Sequence, residues 1–281
     1  MIDPNSLSTA HQSLPQAQTQ PQQQHELGRP RIGLYGGSFD PIHLGHLKTA
    51  RYVLEHMDLD YMYLLPNASP PHKSSLKLPY ATRVEMIAAA LRDFNDPRFQ
   101  ISYIEQDPSL KHYTVNTLQL FHQEHPETEV FFIMGMDSFL TLDTWRSYER
   151  LIELANIVIL PRPHYDYEEH ALKPELAALT QNRLVDLRHV TPHHPAPATQ
   201  ATKATPAAPA AEAVKATEPQ GHRYYILPAP EVDVSSTEIR ALLKQGYTQL
   251  NASQRQILSQ TLSPSTLEYI RAQQLYLAVS N

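Results

Sequence analysis

Short apolar runs alternate with segments of helical period along most of this chain, and that alternation limits its fold more than any other feature. The runs Arg31–Tyr35, Tyr61–Leu65, Phe99–Ile104, Val130–Met134, Asn156–Leu160 and Tyr224–Leu227 are rich in β-branched, aliphatic and aromatic residues. Most are continuously apolar rather than alternating, the pattern of strands covered on both faces. His43–His56 sets Leu44, Leu47, Ala50 and Leu54 on one helical stripe, and Pro79–Phe94 does the same with Val84, Ile87, Ala88 and Leu91. Thr114–His122, with Leu118 and Phe121, has the same character. Pro79 suits a first helical turn, where its missing N–H is no loss. The alternation predicts an α/β protein with a doubly wound, mainly parallel sheet. Such sheets bind ligands beyond the carboxyl ends of their strands, at the switch point. Chemistry is therefore expected in the loops after Tyr35, Leu65, Met134 and Leu227.

Two segments stand outside this pattern. Residues 1–29 hold seven glutamines and three prolines with hardly any aliphatic periodicity. They read as a disordered tail, because too little apolar surface is available to offset the entropy of ordering. Between Thr191 and His222, 21 of 32 residues are Ala, Pro or Thr, with six prolines too closely spaced for a continuous helix. This stretch reads as a solvated surface insertion, which a domain tolerates because loop closure costs grow slowly with length. Residues 30–281 are then expected to form a single domain around the insertion at 191–222.

Composition narrows the function classes. The chain has no cysteine, which excludes disulfides, thiolate-ligated zinc, iron–sulfur ligation and a cysteine nucleophile, and fits a reducing cytoplasm. No apolar run reaches the roughly 18–20 residues needed to cross a bilayer, and the N-terminus lacks the pattern of a secretory signal. Net charge is −6, so neither a nucleic acid nor a membrane surface is an expected partner, although a local anion site is compatible. Oligomeric state is not legible.

Four of the eight glycines (Gly33, Gly36, Gly37 and Gly45) fall within thirteen residues. Directly after the first strand run comes Gly36-Gly37-Ser38-Phe39-Asp40-Pro41-Ile42-His43-Leu44-Gly45-His46. It is neither a dinucleotide fingerprint nor a Walker loop. Glycines after a strand let backbone approach a ligand closely, and a helix N-terminus beyond them favours an anion. His43 and His46, three apart, face the same direction. Their chemistry admits three roles: local helix capping, a metal pair without a third ligand at telling spacing, or two donors to phosphate oxygens. A second anion cradle is expected near the C-terminus, where Val234-Ser235-Ser236-Thr237-Glu238-Ile239-Arg240 opens a helix ending near Gly246. Ser235 and Glu238 have capping-box spacing, and Gly246 stands where a C′ glycine belongs. Capping alone does not need three hydroxyls and an arginine one turn on; together they suit a phosphate chain.

These residues resemble those of the HIGH-type nucleotidylyltransferases and, within them, the bacterial nicotinate-nucleotide adenylyltransferases. The matching pieces are GGSFDPIHLGH (36–46), PNASPPHK (66–73), Arg83 in YATRVEMI, HYTVNTL (112–118), MGMDSFLTLDTW (134–145), LPRP (160–163) and VSSTEIR (234–240). The resemblance implies a Rossmann-like nucleotidylyltransferase fold. It assigns His43, His46 and Arg240 to catalysis at the ATP phosphates, and Gly36, Gly37, Ser38, Phe39, Gly135, Asp137, Ser235 and Thr237 to ATP binding. It sets Asn67, His72, Lys73, Thr114, Trp145 and Arg162 around nicotinate mononucleotide. From the residues alone, Asp137 also suits a cap for the short helix after Met136, Trp145 also suits the core, and Arg83 suits either a sheet-edge brace or a phosphate contact. Arg146 departs from the pattern, following the tryptophan where some members carry an aromatic residue.

The implied reaction is adenylyl transfer from ATP to nicotinate mononucleotide, giving deamido-NAD and pyrophosphate in NAD biosynthesis. Mg²⁺ is the implied cofactor, held mainly by ATP phosphates, with no protein metal ligand expected. Alternatives are an enzyme for nicotinamide mononucleotide or for both nucleotides, and a nucleotide-binding scaffold without turnover.

Overall fold

The computed structural model describes residues 28–68, 78–107, 109–161, 165, 167, 172–188, 221–228 and 234–277. The stretches 1–27 and 189–220, which hold nearly all of the glutamine-rich tail and the Ala/Pro/Thr insertion, lie outside them. Strands β1 (Arg31–Gly37), β2 (Tyr61–Pro66), β3 (Phe99–Ile101), β4 (Glu129–Gly135), β5 (Asn156–Leu160), β6 (Leu184–Asp186) and β7 (Tyr224–Ile226) form one sheet in the order β3-β2-β1-β4-β5-β7-β6. Every pairing is parallel. From β1 the order runs one way through β2 to β3 and the other way through β4 to β5. The switch point therefore lies between β1 and β4, with their loops beside it.

Helices cover both faces: α1 (Leu44–His56), α2 (Tyr80–Phe94), α3 (Thr114–Glu124), α4 (Met136–Phe139), α5 (Leu151–Leu154), α6 (Pro174–Thr180), α7 (Ser236–Leu243), α8 (Ala252–Thr261) and α9 (Pro264–Ala272). One core joins α1, α2 and the C-terminal helices to the sheet through Leu47, Val53, Met86, Ile87, Ile239 and Ile270. The other joins α3 to α6 through Leu118, Phe121, Phe139, Leu151 and Leu176. Local signals set several helix ends. Asn251 accepts the Gln254 N–H at the start of α8 while Gln254 reaches back to the Asn251 N–H. Ser263 caps α9, whose first residue is Pro264; caps of this kind contribute about 1 kcal/mol each. Among the described residues no helix is long and apolar enough to cross a membrane.

The doubly wound α/β expectation holds, and the seven described strands pair only in parallel. Four details differ. β3 stops at Ile101, because the chain turns at Ile104 and Glu105. β6 was not expected: it has three residues, none of them buried, and sits at the sheet edge. The buried face of α2 is Arg83, Met86, Ile87, Ala89 and Ala90, turned from the expected stripe because an arginine takes an inward position. Gly246 has a positive φ of 83° but stands one residue beyond C′, opening the next short turn (Tyr247–Gln249).

Candidate active site

The loop after β1 carries the first cluster. Gly33 lies within β1, where a Cβ would come within 2.8 Å of the Met62 methyl and 2.9 Å of Leu59. Its bareness serves packing, not a ligand. Gly36 and Gly37 end the strand; a Cβ at Gly37 would meet the Phe39 ring at 3.0 Å, while at Gly36 it would make only ordinary contact with Phe132. Phe39 has a left-handed φ of 47°, and its ring is buried edge-on against Tyr35 and His46. Any contact it makes with a nucleotide is therefore through backbone. Asp40–Pro41 is a cis peptide.

His43 is the N-cap of α1, and His46 is its third residue. The His46 Nδ1 accepts the His43 N–H at 3.2 Å, and the two rings pack with centroids 3.7 Å apart. Local capping is thus real, and it does not compete with anion binding. An Nδ1 that accepts a backbone N–H leaves the ring proton on Nε2, as a donor. Gly45 is buried between them.

The loop after β2 is fastened to the first. The Asn67 N–H donates to the Gly37 carbonyl at 2.9 Å. Arg83 is 0% exposed and donates to the Ser38 carbonyl at 2.6 Å and the Asn67 carbonyl at 2.5 Å. Arg83 therefore braces two loops from inside. Burial disfavours its charge, and the Asp40 carboxylate and Tyr80 phenol nearby oppose that shift. Glu105, 3% exposed, does similar work on the far side. It accepts the Ala68 N–H at 3.1 Å and the Thr117 hydroxyl at 2.8 Å, joining the second loop to α3. Desolvation raises its pKa despite those hydrogen bonds.

The start of α7 completes the cluster. Ser235 and Glu238 form the expected capping box, with the serine hydroxyl accepting the Glu238 N–H at 3.2 Å. Ser236 points the other way: its hydroxyl donates to the Pro41 carbonyl at 3.0 Å. Arg240 donates to the Asp40 carbonyl at 2.7 Å and to Thr237 Oγ1 at 3.1 Å. The two expected anion cradles are one hydrogen-bonded unit.

The remaining residues lie across the switch point. The last register pair of β1 with β4 is Tyr35 with Ile133, so Gly37 and Gly135 stand two residues beyond it on neighbouring strands. Gly135 caps α4, and Asp137 lies inside that helix rather than at its cap. Thr114 begins α3, and Trp145, half-buried, packs on the second core after a short turn (Leu142–Thr144). A cleft of about 420 Å³ opens between the start of α3 and the turn after Trp145, lined by Lys111, Tyr113, Arg146, Ser147 and Arg150 among others. Arg146 faces this cleft, while neither Thr114 nor Trp145 lines it. His72, Lys73 and Arg162 lie outside the described residues. Glu105 and Tyr276 carry no sequence signal, and Ser236, expected among three hydroxyls for a phosphate chain, instead holds the Pro41 carbonyl. An arginine on the inward stripe of α2 was the one available signal for the bracing.

A doubly wound parallel sheet with a histidine-bearing loop and a capped arginine helix gathered at its switch point defines a nucleotidylyltransferase-type protein. The Cytidylyltransferase-like family model matches residues 34–242. The probable nicotinate-nucleotide adenylyltransferase of Shewanella sp. (strain ANA-3) is 36% identical over 247 residues, covering 88% of this chain and 99% of that protein. Its namesake in Shewanella putrefaciens (strain CN-32 / ATCC BAA-453) is 34% identical over 251 residues, covering 88% and 100%. The chain belongs to the nicotinate-nucleotide adenylyltransferase family. In fold it is similar to Plasmodium falciparum nicotinic acid mononucleotide adenylyltransferase complexed with NaAD, with TM-score 0.59 and 18% identity over 88% of this chain and 98% of that one.

Proposed function

We infer that this chain is an adenylyltransferase that joins ATP and nicotinate mononucleotide into deamido-NAD, releasing pyrophosphate, a step of NAD biosynthesis. The observation that carries the reading is the joining of the His43–His46 loop to the Arg240 helix at one end of the sheet. Residues 30–281 act as one catalytic domain, and a chain without cysteine suits a reducing cytoplasm.

The 5′-phosphate of the pyridine nucleotide is ionised at neutral pH, so no general base is needed. One of its oxygens attacks the α-phosphorus of ATP in line. A new P–O bond forms as the bond from the α-phosphorus to the α–β bridging oxygen breaks, and that electron pair leaves with pyrophosphate. Catalysis then rests on positioning and on stabilising charge. His46 Nε2–H, His43 and Arg240 donate to phosphate oxygens, joined by Ser235, Thr237 and the backbone from Gly36 to Phe39. Gly135 and Asp137 hold the adenosine ribose. Asn67, His72, Lys73, Thr114, Trp145 and Arg162 surround the pyridine nucleotide. ATP would bring its own Mg²⁺, which would supply charge neutralisation at the phosphate oxygens. Among the described residues no group of three or more His, Asp or Glu is placed to hold a metal ion.

Product analysis tests the reading. Purified protein with ATP, Mg²⁺ and nicotinate mononucleotide should form deamido-NAD and pyrophosphate in equal amounts, and chelation of the magnesium should stop it. Failure to form the dinucleotide would overturn it.

A further inference from the structure

The end of the chain reaches back beneath the phosphate loop. Tyr276, beyond α9, adopts a left-handed φ of 65° and is half-buried. Its hydroxyl donates to Oδ1 of Asp40 at 2.6 Å, with the Met86 sulfur 3.9 Å from the same hydroxyl. Asp40 is 2% exposed. Burial and the bond to Asp40 drive the Tyr276 phenol far above its ordinary pKa, so it remains a donor throughout the working range.

Asp40 is a junction. Its main-chain carbonyl holds Arg240, and the next carbonyl, of Pro41, holds Ser236. Two residues earlier, Ser38 is held by Arg83. A buried carboxylate that loses a donor must rehydrate or shift. The same residue's main-chain carbonyl holds Arg240 and leads into the turn to His43, so a shift of Asp40 that reaches its backbone reaches both.

We propose that Tyr276 is a positioning residue for ATP: by tying down the Asp40 side chain from the C-terminal segment, it sets the phosphate loop and Arg240 in register before the nucleotide arrives. Tyr276 touches no reacting atom in this account, and its effect passes through Asp40. The kinetic part of the proposal rests on the adenylyl-transfer reading; the binding part does not.

The test is Tyr276→Phe, which keeps the ring and removes the hydroxyl. Its Kd for a non-hydrolysable ATP analogue should weaken roughly tenfold, with kcat/KM for ATP falling in step and KM for nicotinate mononucleotide changing less than about twofold. Leu267→Ala, which trims a half-buried side chain on α9, is the control for general loss of stability. It should lower Tm while leaving the analogue Kd at the wild-type value. In a double-mutant cycle, Asp40→Ala with Tyr276→Phe should cost no more than Asp40→Ala alone, because that change already removes the acceptor through which the hydroxyl acts. Wild-type analogue affinity in Tyr276→Phe, an equal loss of affinity in Leu267→Ala, or strictly additive losses would each overturn the proposal. The analogue Kd is read without turnover, so a wild-type protein that fails to transfer adenylyl would refute the functional reading and leave this inference still measurable.

Discussion

The guanidinium of Arg240 donates to the main-chain carbonyl of Asp40 across 2.7 Å, closing a contact between residues 200 positions apart in the chain. This bond makes the start of α7 and the loop after β1 one structure, and in the reaction proposed above Arg240 has a second duty, offering positive charge to a phosphate. A lysine keeps the charge but cannot reproduce the planar fork. Arg240→Lys should therefore lower kcat/KM for ATP by about 10- to 100-fold, the scale for losing oriented donors, with little change in KM for nicotinate mononucleotide. Steady-state kinetics with each substrate varied in turn would show it; equal losses toward both substrates would contradict it.

His46 is both a cap and a donor. Because Nδ1 takes the His43 N–H, the imidazole should be Nε2-protonated, which ¹⁵N NMR of the ring reads directly. His46→Ala should cut kcat by at least ~10²-fold, as for loss of one transition-state donor. Near-normal turnover in a variant of wild-type circular dichroism would remove His46 from the mechanism.

Glu105 carries a raised pKa through desolvation. Its ionisation therefore costs the folded state stability, a cost absent below the unfolded value of about 4.3 and fully present above the raised folded value. Glu105→Gln escapes that cost. Its amide oxygen can accept the Ala68 N–H, and its NH₂ can donate to Thr117 Oγ1, which lies 3.3 Å from the Tyr113 carbonyl it would then bond. The Tm of the variant relative to wild type should rise as pH goes from 4 to 8. A flat or falling difference across that range would show that the carboxylate charge is not penalised.

Trp145 is the chain's single tryptophan, so its fluorescence reports one place. It is half-buried against the second core, after the turn that follows Asp137. Nicotinate mononucleotide should quench it saturably, whereas Mg–ATP alone should leave it nearly unchanged. Quenching by ATP alone, with none from the pyridine nucleotide, would reverse the assignment of the two subsites.

What the sequence made legible follows from how each signal arises. β5 was read at its true ends because Asn156–Leu160 is buried throughout and its composition says so. The capping box at Ser235 and Glu238 was legible because it is local, four residues long and complete in itself. β6 escaped because three edge residues, none of them buried, carry no pattern. Arg83 was visible but ambiguous: it suits either a sheet-edge brace or a phosphate contact until its acceptors, the Ser38 and Asn67 carbonyls, are seen. Glu105 and Tyr276 gave no signal at all, since each works through partners far away in sequence. Asp40 meets Tyr276 across 236 positions, and only the folded chain makes that pair. The candidate donors thus stand in readable motifs, and most of the framework around them does not.

The most direct test of the account is pyrophosphate release from Mg–ATP with nicotinate mononucleotide, nicotinamide mononucleotide or pantetheine phosphate as acceptor, measured side by side. The account predicts release with nicotinate mononucleotide and none above background with the other two. Comparable release with either of the others, or binding of ATP without release under any of the three conditions, would contradict it.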